Sequence, residues 1–264
     1  MEFWHLIVAL IQGLVEWLPI SSEGQAVLFV FNIGAVPPES VITLAVWLHM
    51  GTAIAVIVRY PRTIIEILSL QDHELFRYLL ISTICTAMTA LPLYFLLKST
   101  ITVFQGEMLN ILIGFLLLAT AFLLYLPSRR SSEVATPDTI EPSNRIAAIT
   151  GLAQGFSVLP GLSRSGITVS ALLLQKVDKE KALRFSFLMS IPAVFGIFAV
   201  EYLTGGAALP TIAPLDLLGM EIIVFVVGLA SMEGLLRLAQ SISFWKLCLF
   251  LGSLAVIFGI PALL

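Results

Sequence analysis

The stretch LPISSEGQAVL, residues 18 to 28, interrupts an apolar run of this chain with two serines, a glutamate, a glycine and a glutamine. A second stretch, LPGLSRSGITVSALL at 159 to 173, interrupts another apolar run in a similar way. Of the 264 residues, 58% are hydrophobic and 12% are charged, whereas soluble domains carry about 25% charged residues. The sequence therefore predicts an all-α integral membrane protein with two polar breaks. Its composition shows no basic surface that would bind nucleic acid.

Six apolar runs are long enough to cross a hydrocarbon core about 30 Å thick. They lie at 41–59, 79–97, 108–126, 185–203, 217–236 and 246–264. The two regions with polar breaks, 1–31 and 146–174, are helix-length apolar pieces that Pro, Gly and Ser divide and that then resume. Each of these regions either crosses the membrane or enters it and returns to the side from which it came.

Positive charge distinguishes between these two topologies. If both regions are re-entrant and residues 59–78 are cytoplasmic, twelve Lys and Arg residues lie in inside loops and only Lys98 lies outside. If 146–174 crossed instead, six would lie inside and seven outside. Because cytoplasmic loops carry the excess of Lys and Arg, the sequence predicts two re-entrant hairpins. Non-helical backbone at membrane depth needs cover from protein or a water-filled cavity, so both breaks are expected to face a shared interior.

The two halves of the chain are related by an internal repeat. Four residues of the first region recur 142 residues later, since Gln12, Gly13, Ser21 and Gly24 correspond to Gln154, Gly155, Ser163 and Gly166. Each half then has one hairpin and three spans, and because three is odd, the second half is inverted. Inverted-repeat membrane proteins build sites from such broken helices near the midplane. We predict a single membrane domain over 1–264, with repeat 1 at 1–126, a polar connector at 127–145 and repeat 2 at 146–264.

Arg164 lies inside the second break, flanked by Gly161, Ser163, Ser165 and Gly166. An arginine at membrane depth costs at least ~2.5 kcal/mol on insertion scales, and its usual partners are anions. Small residues let backbone N–H groups approach a ligand, and a half-helix that starts after the break directs its positive end toward that ligand. These features favour phosphate binding. The alternatives are a structural arginine bonded to backbone carbonyls and an arginine that snorkels to an interface.

The first break supplies two carboxylates, Glu16 and Glu23, with Ser21 and Ser22 between them. A carboxylate beside a hydroxyl can act as a general base, or it can hold a divalent cation that neutralises phosphate charge. Helix packing by small residues would explain the serines, but it would not explain two acids. His49, in the middle of a span, either hydrogen-bonds a neighbouring helix or handles a proton at the site.

These motifs resemble the undecaprenyl-diphosphate phosphatase family, also known from bacitracin resistance. Its signatures run E-x-x-x-E-x-x-P-x-S-S-[ST]-G-H and P-G-x-S-R-S-G, and the second is intact here as PGLSRSG at 160 to 166. The stretches LHMGTAIAV and RFSFLMSIPA are also similar to the family. The resemblance implies a multi-pass hydrolase of the cell membrane, often a homodimer. Such an enzyme removes the terminal phosphate of a polyprenyl diphosphate, so that the lipid carrier is recycled for cell-envelope biogenesis. Its site opens to the outer face, and a divalent cation, Mg²⁺ or Ca²⁺, assists.

The first signature departs from the family pattern at three positions. Gln12 replaces the first glutamate, Glu23 replaces a Ser or Thr, and Gln25 replaces the histidine, while Glu16 is kept. Glutamine cannot exchange a proton near neutral pH. Either Glu23 or His49 then transfers the proton, or the protein binds lipid phosphate without hydrolysing it. The SSEGQ pattern is expected of archaeal-type members, whose carrier lipid would be dolichyl-like.

In a phosphatase we expect Arg164 to clamp the phosphate and Ser22 to act as nucleophile or to position water. Glu16 would be the base or a metal ligand, and Glu23 a substitute base or a second ligand. The expected phosphate-binding residues are Ser21, Ser163, Ser165, Gly161, Gly166, Gln12 and Gln25. The alternative function is a flippase or transporter of a polyprenyl phosphate, because the inverted repeat is also a transporter architecture.

Overall fold

The computed structural model describes residues 1–33, 38–100, 107–131, 142–204, 212–241 and 243–259. These residues form α-helices and one 3₁₀ turn, Phe156–Val158. The helices are α1 Phe3–Val15, α2 Ser22–Asn32, α3 Pro38–Arg59, α4 Pro61–Leu68, α5 His73–Thr100, α6 Glu107–Ser131, α7 Asn144–Gly155, α8 Arg164–Leu174, α9 Lys179–Leu203, α10 Pro214–Ser241 and α11 Phe244–Gly259.

Four of these helices are long and apolar enough to cross a membrane, namely α5, α6, α9 and α10. The spans predicted at 79–97, 108–126, 185–203 and 217–236 lie within them. The span predicted at 41–59 belongs to α3, which forms a fifth candidate together with α4 after an 89° bend. The described part of α11 is shorter than a full span, and residues 260–264 of the last predicted span lie outside the described residues. The described residues thus form an all-helical membrane protein with four or five candidate spans.

The two regions with polar breaks form pairs of short helices. α1 has 13 residues, α2 and α8 have 11 each, and α7 has 12. At 1.5 Å per residue, none of them exceeds about 20 Å, which is too short for the hydrocarbon core. The chain turns at Ser21, with φ +59°, and at Gly161, with φ +108°. Gly161 adopts this left-handed conformation without the cost that a Cβ would impose.

The two breaks contact each other inside the bundle. The N–H of Gly161 donates to Ser21 Oγ over 3.2 Å, and a Cβ on Gly24 would lie 3.1 Å from the Gly161 backbone. Other helices hold the breaks in place: the Trp17 indole donates to Gly228 O of α10, and Thr120 of α6 bonds both Gly161 O and Ser163 N. The shared interior predicted from the sequence therefore exists.

Glycines allow α5 and α7 to pack backbone against backbone. A Cβ on Gly151 would lie 2.8 Å from Ser82 Cα, and a Cβ on Gly155 would lie 2.7 Å from Ala90 N. The Thr86 hydroxyl donates to Gly151 O across this contact. Small residues four apart are the usual device by which membrane helices approach closely. This contact fixes the second break relative to α5.

The predicted connector at 127–145 lies partly in helices. α6 continues through Pro127 to Ser131, and α7 begins at Asn144 after Ser143 caps it. Residues 132–141 lie outside the described residues.

Candidate functional site

A cavity lies where the two breaks meet, enclosed also by α3, α5 and α9. Its empty volume is about 880 Å³, including the part that is open to solvent. The polar residues that line it are Glu16, Ser21, Ser22, Glu23, His49, Thr86, Tyr94, Gln154, Ser157, Ser163, Arg164 and Ser165. Its apolar lining consists of Leu18, Val46, Ala90, Val158, Leu162, Ala193, Val194 and Ile197. A space with a few convergent polar groups on apolar walls is typical of a ligand site.

Glu16 is at the centre of the polar contacts. It follows the last residue of α1 and is only 5% exposed. Its Oε1 accepts a hydrogen bond from Arg164 Nη2 at 2.6 Å, and its Oε2 accepts from Ser22 Oγ at 2.5 Å. Gln12 Nε2, one turn earlier on α1, also donates to Oε2, at 2.9 Å. One carboxylate therefore links the hydroxyl of the first break to the guanidinium of the second.

Arg164 is the first residue of α8, so its side chain starts at the positive end of that helix. Besides Glu16, it donates through Nη1 to Ser186 O of α9 over 3.2 Å. Its Nε is buried and has no partner among the described residues. A buried guanidinium that retains a free N–H keeps one donor that the described protein groups do not use.

Serine hydroxyls shape the rest of the second break. Ser163 Oγ caps α8 by accepting from Gly166 N at 3.1 Å, and it lies 3.3 Å from Ser165 Oγ. Ser165 Oγ also donates to Leu18 O of the first break over 3.3 Å. The N–H groups of Gly161 and Gly166 are thus bonded to serine oxygens, and neither glycine lines the cavity. Both glycines shape the loop that presents Arg164.

His49 of α3 reaches the same carboxylate from the other side. Its Nδ1 lies 2.6 Å from Ala45 O, so this nitrogen carries the proton that is donated to the carbonyl. Its Nε2 faces Glu16 Oε2 at 3.4 Å. Of the two roles considered for His49, this position favours proton handling at Glu16.

Glu23 and Gln25, the two departures in the first signature, occupy different environments. Glu23 lines the cavity, and its carboxylate makes no hydrogen bond with the described residues. Gln25 does not line the cavity, and its Nε2 lies 3.4 Å from Ile20 O, within its own hairpin. The structure therefore brings Glu16, Ser21, Ser22, Glu23, His49, Ser163, Arg164 and Ser165 together, and it keeps Gln25 apart.

Two polar groups in or next to the cavity have no assigned role in the sequence-based site. Gln154 was noted only as the repeat counterpart of Gln12, yet it is 2% exposed and lines the cavity. The second group is Tyr94 of α5, which also lines the cavity. It donates to the buried Glu201 of α9, and Glu201 also pairs with Lys98 Nζ at 2.8 Å. The internal repeat is the one signal that pointed to Gln154.

Acidic residues in the described ranges do not cluster as in a preformed metal centre. No group of three or more His, Cys, Asp or Glu side chains there is arranged to hold a metal ion. Both oxygens of Glu16 are already bonded to protein donors. Of the two acids predicted as metal ligands, Glu23 is therefore the one with a free carboxylate.

The fold and the site together define a membrane-embedded protein that places a hydroxyl–carboxylate–guanidinium unit in an apolar cavity. Residues 5–257 match the family model described as "Bacitracin resistance protein BacA". The chain belongs to this family.

Curated relatives extend along nearly the whole chain. A protein of Methanothrix thermoacetophila is 38% identical over 251 residues, which cover 95% of this chain and 94% of the relative. Proteins of Methanopyrus kandleri and Haloarcula marismortui are 37% and 34% identical, and the matches cover 99% and 97% of this chain and 97% and 96% of those relatives. All three relatives are named "Undecaprenyl-diphosphatase". Several relatives are archaeal, as the SSEGQ pattern predicted.

Proposed function

We propose that this protein is a membrane phosphatase that hydrolyses an undecaprenyl-type or dolichyl-type diphosphate to the monophosphate and inorganic phosphate. The observation that carries this proposal is the position of Glu16, which bonds Ser22 Oγ at 2.5 Å and Arg164 Nη2 at 2.6 Å. A base next to a hydroxyl, with a phosphate-binding cation beside both, is the arrangement that phosphoryl transfer to a serine requires. The names of the relatives agree with this activity.

In the first step, Ser22 is the nucleophile and Glu16 is its base. Ser22 Oγ attacks the terminal phosphorus while its proton passes to Glu16. The bond between that phosphorus and the bridging oxygen breaks, and the polyprenyl monophosphate leaves with the electron pair. Arg164 binds the charged oxygens of the transferred group. Since charge neutralisation and positioning dominate phosphoryl transfer, these three residues supply the main requirements of the step.

The lining of the cavity fits both parts of such a lipid. Hydroxyls, carboxylates and the guanidinium surround the breaks, where the diphosphate would lie. Val46, Ala193 and Ile197 provide apolar wall for the first isoprene units. A soluble diphosphate would gain nothing from this wall, so it favours a prenyl substrate.

The architecture that we propose is an inverted repeat of two re-entrant hairpins and six spans in the plasma membrane, with the site open to the outer face. Two ion pairs between helix ends support it, because this topology places both partners of each pair on the same side of the membrane. At the outer ends Lys98 pairs with Glu201, and at the inner ends Arg59 pairs with Glu233 at 2.8 Å. A homodimer, which the family resemblance implies, remains part of the proposal.

A divalent cation, Mg²⁺ or Ca²⁺, also remains a proposal. Glu23 has a free carboxylate in the cavity, and Mg²⁺ commonly binds one or two carboxylates together with substrate phosphate oxygens. Glu16 fits less well, because the Arg164 guanidinium already lies 2.6 Å from it. A cation at Glu23 would neutralise charge on the substrate.

Phosphate release from a polyprenyl diphosphate by the purified protein in detergent tests this function. Wild-type protein is expected to release phosphate without a membrane gradient, and Glu16→Gln and Ser22→Ala to release little. A protein that binds the lipid phosphate but releases no phosphate would be a flippase or transporter instead. The same assay with and without a chelator tests the cation.

A further inference from the structure

Gln154 lines the cavity and has a buried side-chain oxygen that is unpaired. Its side chain is 2% exposed, it lines the cavity, and its Oε1 has no hydrogen-bond partner among the described residues. A buried carbonyl oxygen that lacks a partner is destabilising, because it has lost its hydrogen bonds to water. Such an atom at a ligand site indicates that a bound molecule completes its hydrogen bonding.

The neighbouring contacts fix which end of the amide is already bonded to the protein. Gln154 Nε2 lies 3.1 Å from Thr86 Oγ1, and Thr86 Oγ1 lies 3.0 Å from Gly151 O. The single proton of Thr86 goes to the Gly151 carbonyl, because a carbonyl oxygen only accepts. Thr86 therefore accepts from the Gln154 amide N–H. These contacts leave Oε1, a pure acceptor, without a partner among the described residues.

A pure acceptor limits what Gln154 can bind. Phosphate oxygens that carry no proton would be repelled by Oε1, whereas water would donate to it. Glutamine has no useful acidity, so it orients a water molecule without taking its proton. A glutamine has this task in GTPases, where it orients the attacking water.

We propose that Gln154 holds the water that releases phosphate from Ser22 in the second step of the reaction. This inference rests on the proposed function. The water oxygen attacks the phosphorus of phosphorylated Ser22, and the bond from phosphorus to Ser22 Oγ breaks. Ser22 Oγ takes back the proton that Glu16 accepted in the first step. Both protons of the water leave with the phosphate, so atoms and charge balance.

The test compares Gln154→Met with the wild-type enzyme, using a polyprenyl diphosphate labelled in its terminal phosphate. Methionine has a similar size but lacks the acceptor. Since misplacement of a reacting group by 1 Å can cost roughly 10² in rate, kcat is expected to fall by about that factor. KM is expected to fall with kcat, so that kcat/KM changes little, because only the second step becomes slow. Acid-quenched Gln154→Met is expected to carry labelled phosphoserine at Ser22, because the second step becomes slow.

Three further variants separate water positioning from a structural role. Gln154→Glu, which keeps an acceptor oxygen, is expected to recover part of the rate. Thr86→Val removes the acceptor that orients the amide, and it is expected to lose more rate than Thr86→Ser. Gln175→Met is the matched control, because Gln175 Nε2 also contacts a threonine, Thr150 Oγ1 at 3.3 Å, but lies outside the cavity. This control is expected to keep the wild-type rate.

The possible failures are distinguishable. A wild-type rate in Gln154→Met, an effect on KM alone, or a fall in kcat without labelled phosphoserine would each overturn the role of Gln154. Failure of the wild-type protein to release any phosphate would instead overturn the proposed function.

Discussion

Glu16 and Arg164 are 148 residues apart in the chain, yet Glu16 Oε1 lies 2.6 Å from Arg164 Nη2. Their side chains are 4% and 12% exposed. This pair joins the two polar breaks across the middle of the bundle. Removing one partner leaves the other charge buried and unpaired, which is destabilising by about 3–5 kcal/mol in comparable pairs. The pair is therefore expected to matter for stability as well as for activity.

Arg164→Lys is expected to reduce turnover strongly, by roughly 10² or more, because lysine keeps the charge but loses the planar fork that binds Glu16 and phosphate together. Phosphate release measures this loss. For stability, Arg164→Met alone should unfold at a lower temperature in detergent than the double variant Glu16→Gln with Arg164→Met, which leaves no unpaired charge. Near-normal turnover in Arg164→Ala would remove the clamp from the mechanism.

Glu16→Gln is expected to lower kcat by a general-base factor of roughly 10²–10⁴. Glutamine can still accept from Ser22 but cannot take its proton. Substrate affinity, measured by equilibrium binding of the lipid, should change far less. If kcat survived this substitution, Glu16 would not be the base, and His49 or Glu23 would have to replace it.

Glu23→Gln should lower turnover less than Glu16→Gln. The reason is that Ser22 donates to Glu16, whereas Glu23 makes no hydrogen bond with a described residue. If Glu23 is the cation ligand, the variant should need a higher Mg²⁺ or Ca²⁺ concentration for half-maximal activity. Titration of the cation against phosphate release measures this shift. An unchanged cation dependence would contradict the assignment. A larger loss than in Glu16→Gln would make Glu23 the base.

The predicted topology places residues 132 and 179 on the cytoplasmic side. Cysteines introduced at Ser132 and Lys179 are expected to react alike with a thiol reagent that does not cross the membrane. The native cysteines are first replaced, with Cys248→Ser chosen because the Cys248 thiol donates to Pro19 O at 3.2 Å. Opposite labelling of the two positions would contradict the re-entrant second hairpin and the inverted repeat.

Gly155→Ala is expected to destabilise the protein by about 1–3 kcal/mol, the usual range for overpacking. The new methyl would lie 2.7 Å from the Ala90 backbone nitrogen and would overlap the Thr89 side chain. Gly196→Ala in α9 is the control, because nothing in the described part of the chain lies within 4 Å of its added Cβ. The control should keep or raise stability, since alanine is about 1 kcal/mol more favourable than glycine in helices. Unfolding midpoints in detergent compare the two variants.

Hydropathy was sufficient to predict α5, α6, α9 and α10, because a run of about 20 apolar residues has few structures available in lipid. It did not predict α4. That helix has only eight residues, Pro61–Leu68, and it bends away from α3 by 89°. Pro61 at its first turn both ends the preceding helix and starts the new one. Eight residues are too few to give a clear signal in a mean hydropathy taken over about 20 residues.

The site was partly predictable. Glu16, Ser22 and Arg164 stand out because polar residues at membrane depth are costly and therefore rare. The sequence could not show which oxygen of Glu16 meets which partner, nor that Thr86 fixes the amide of Gln154. The contacts of Glu16 depend on how the two breaks are placed against each other. The contact of Thr86 with Gln154 depends on how α5 and α7 are rotated, and close glycine contacts set that rotation. Helical periodicity identifies a face of one helix, but it does not give the register between two.

The glycine-lined contact of α5 with α7 restricts how a lipid gains access to the cavity. Separating these helices would break the hydrogen bonds from Thr86 to Gly151 O and from Thr89 to Leu152 O. It would also leave the bare backbone of α7 at Gly151 and Gly155 with no side chain to fill the gap. The second hairpin and α5 therefore behave as one rigid wall. A prenyl tail has to pass along a different seam of the bundle, where side chains rather than backbones form the contact and can change rotamer to let it through.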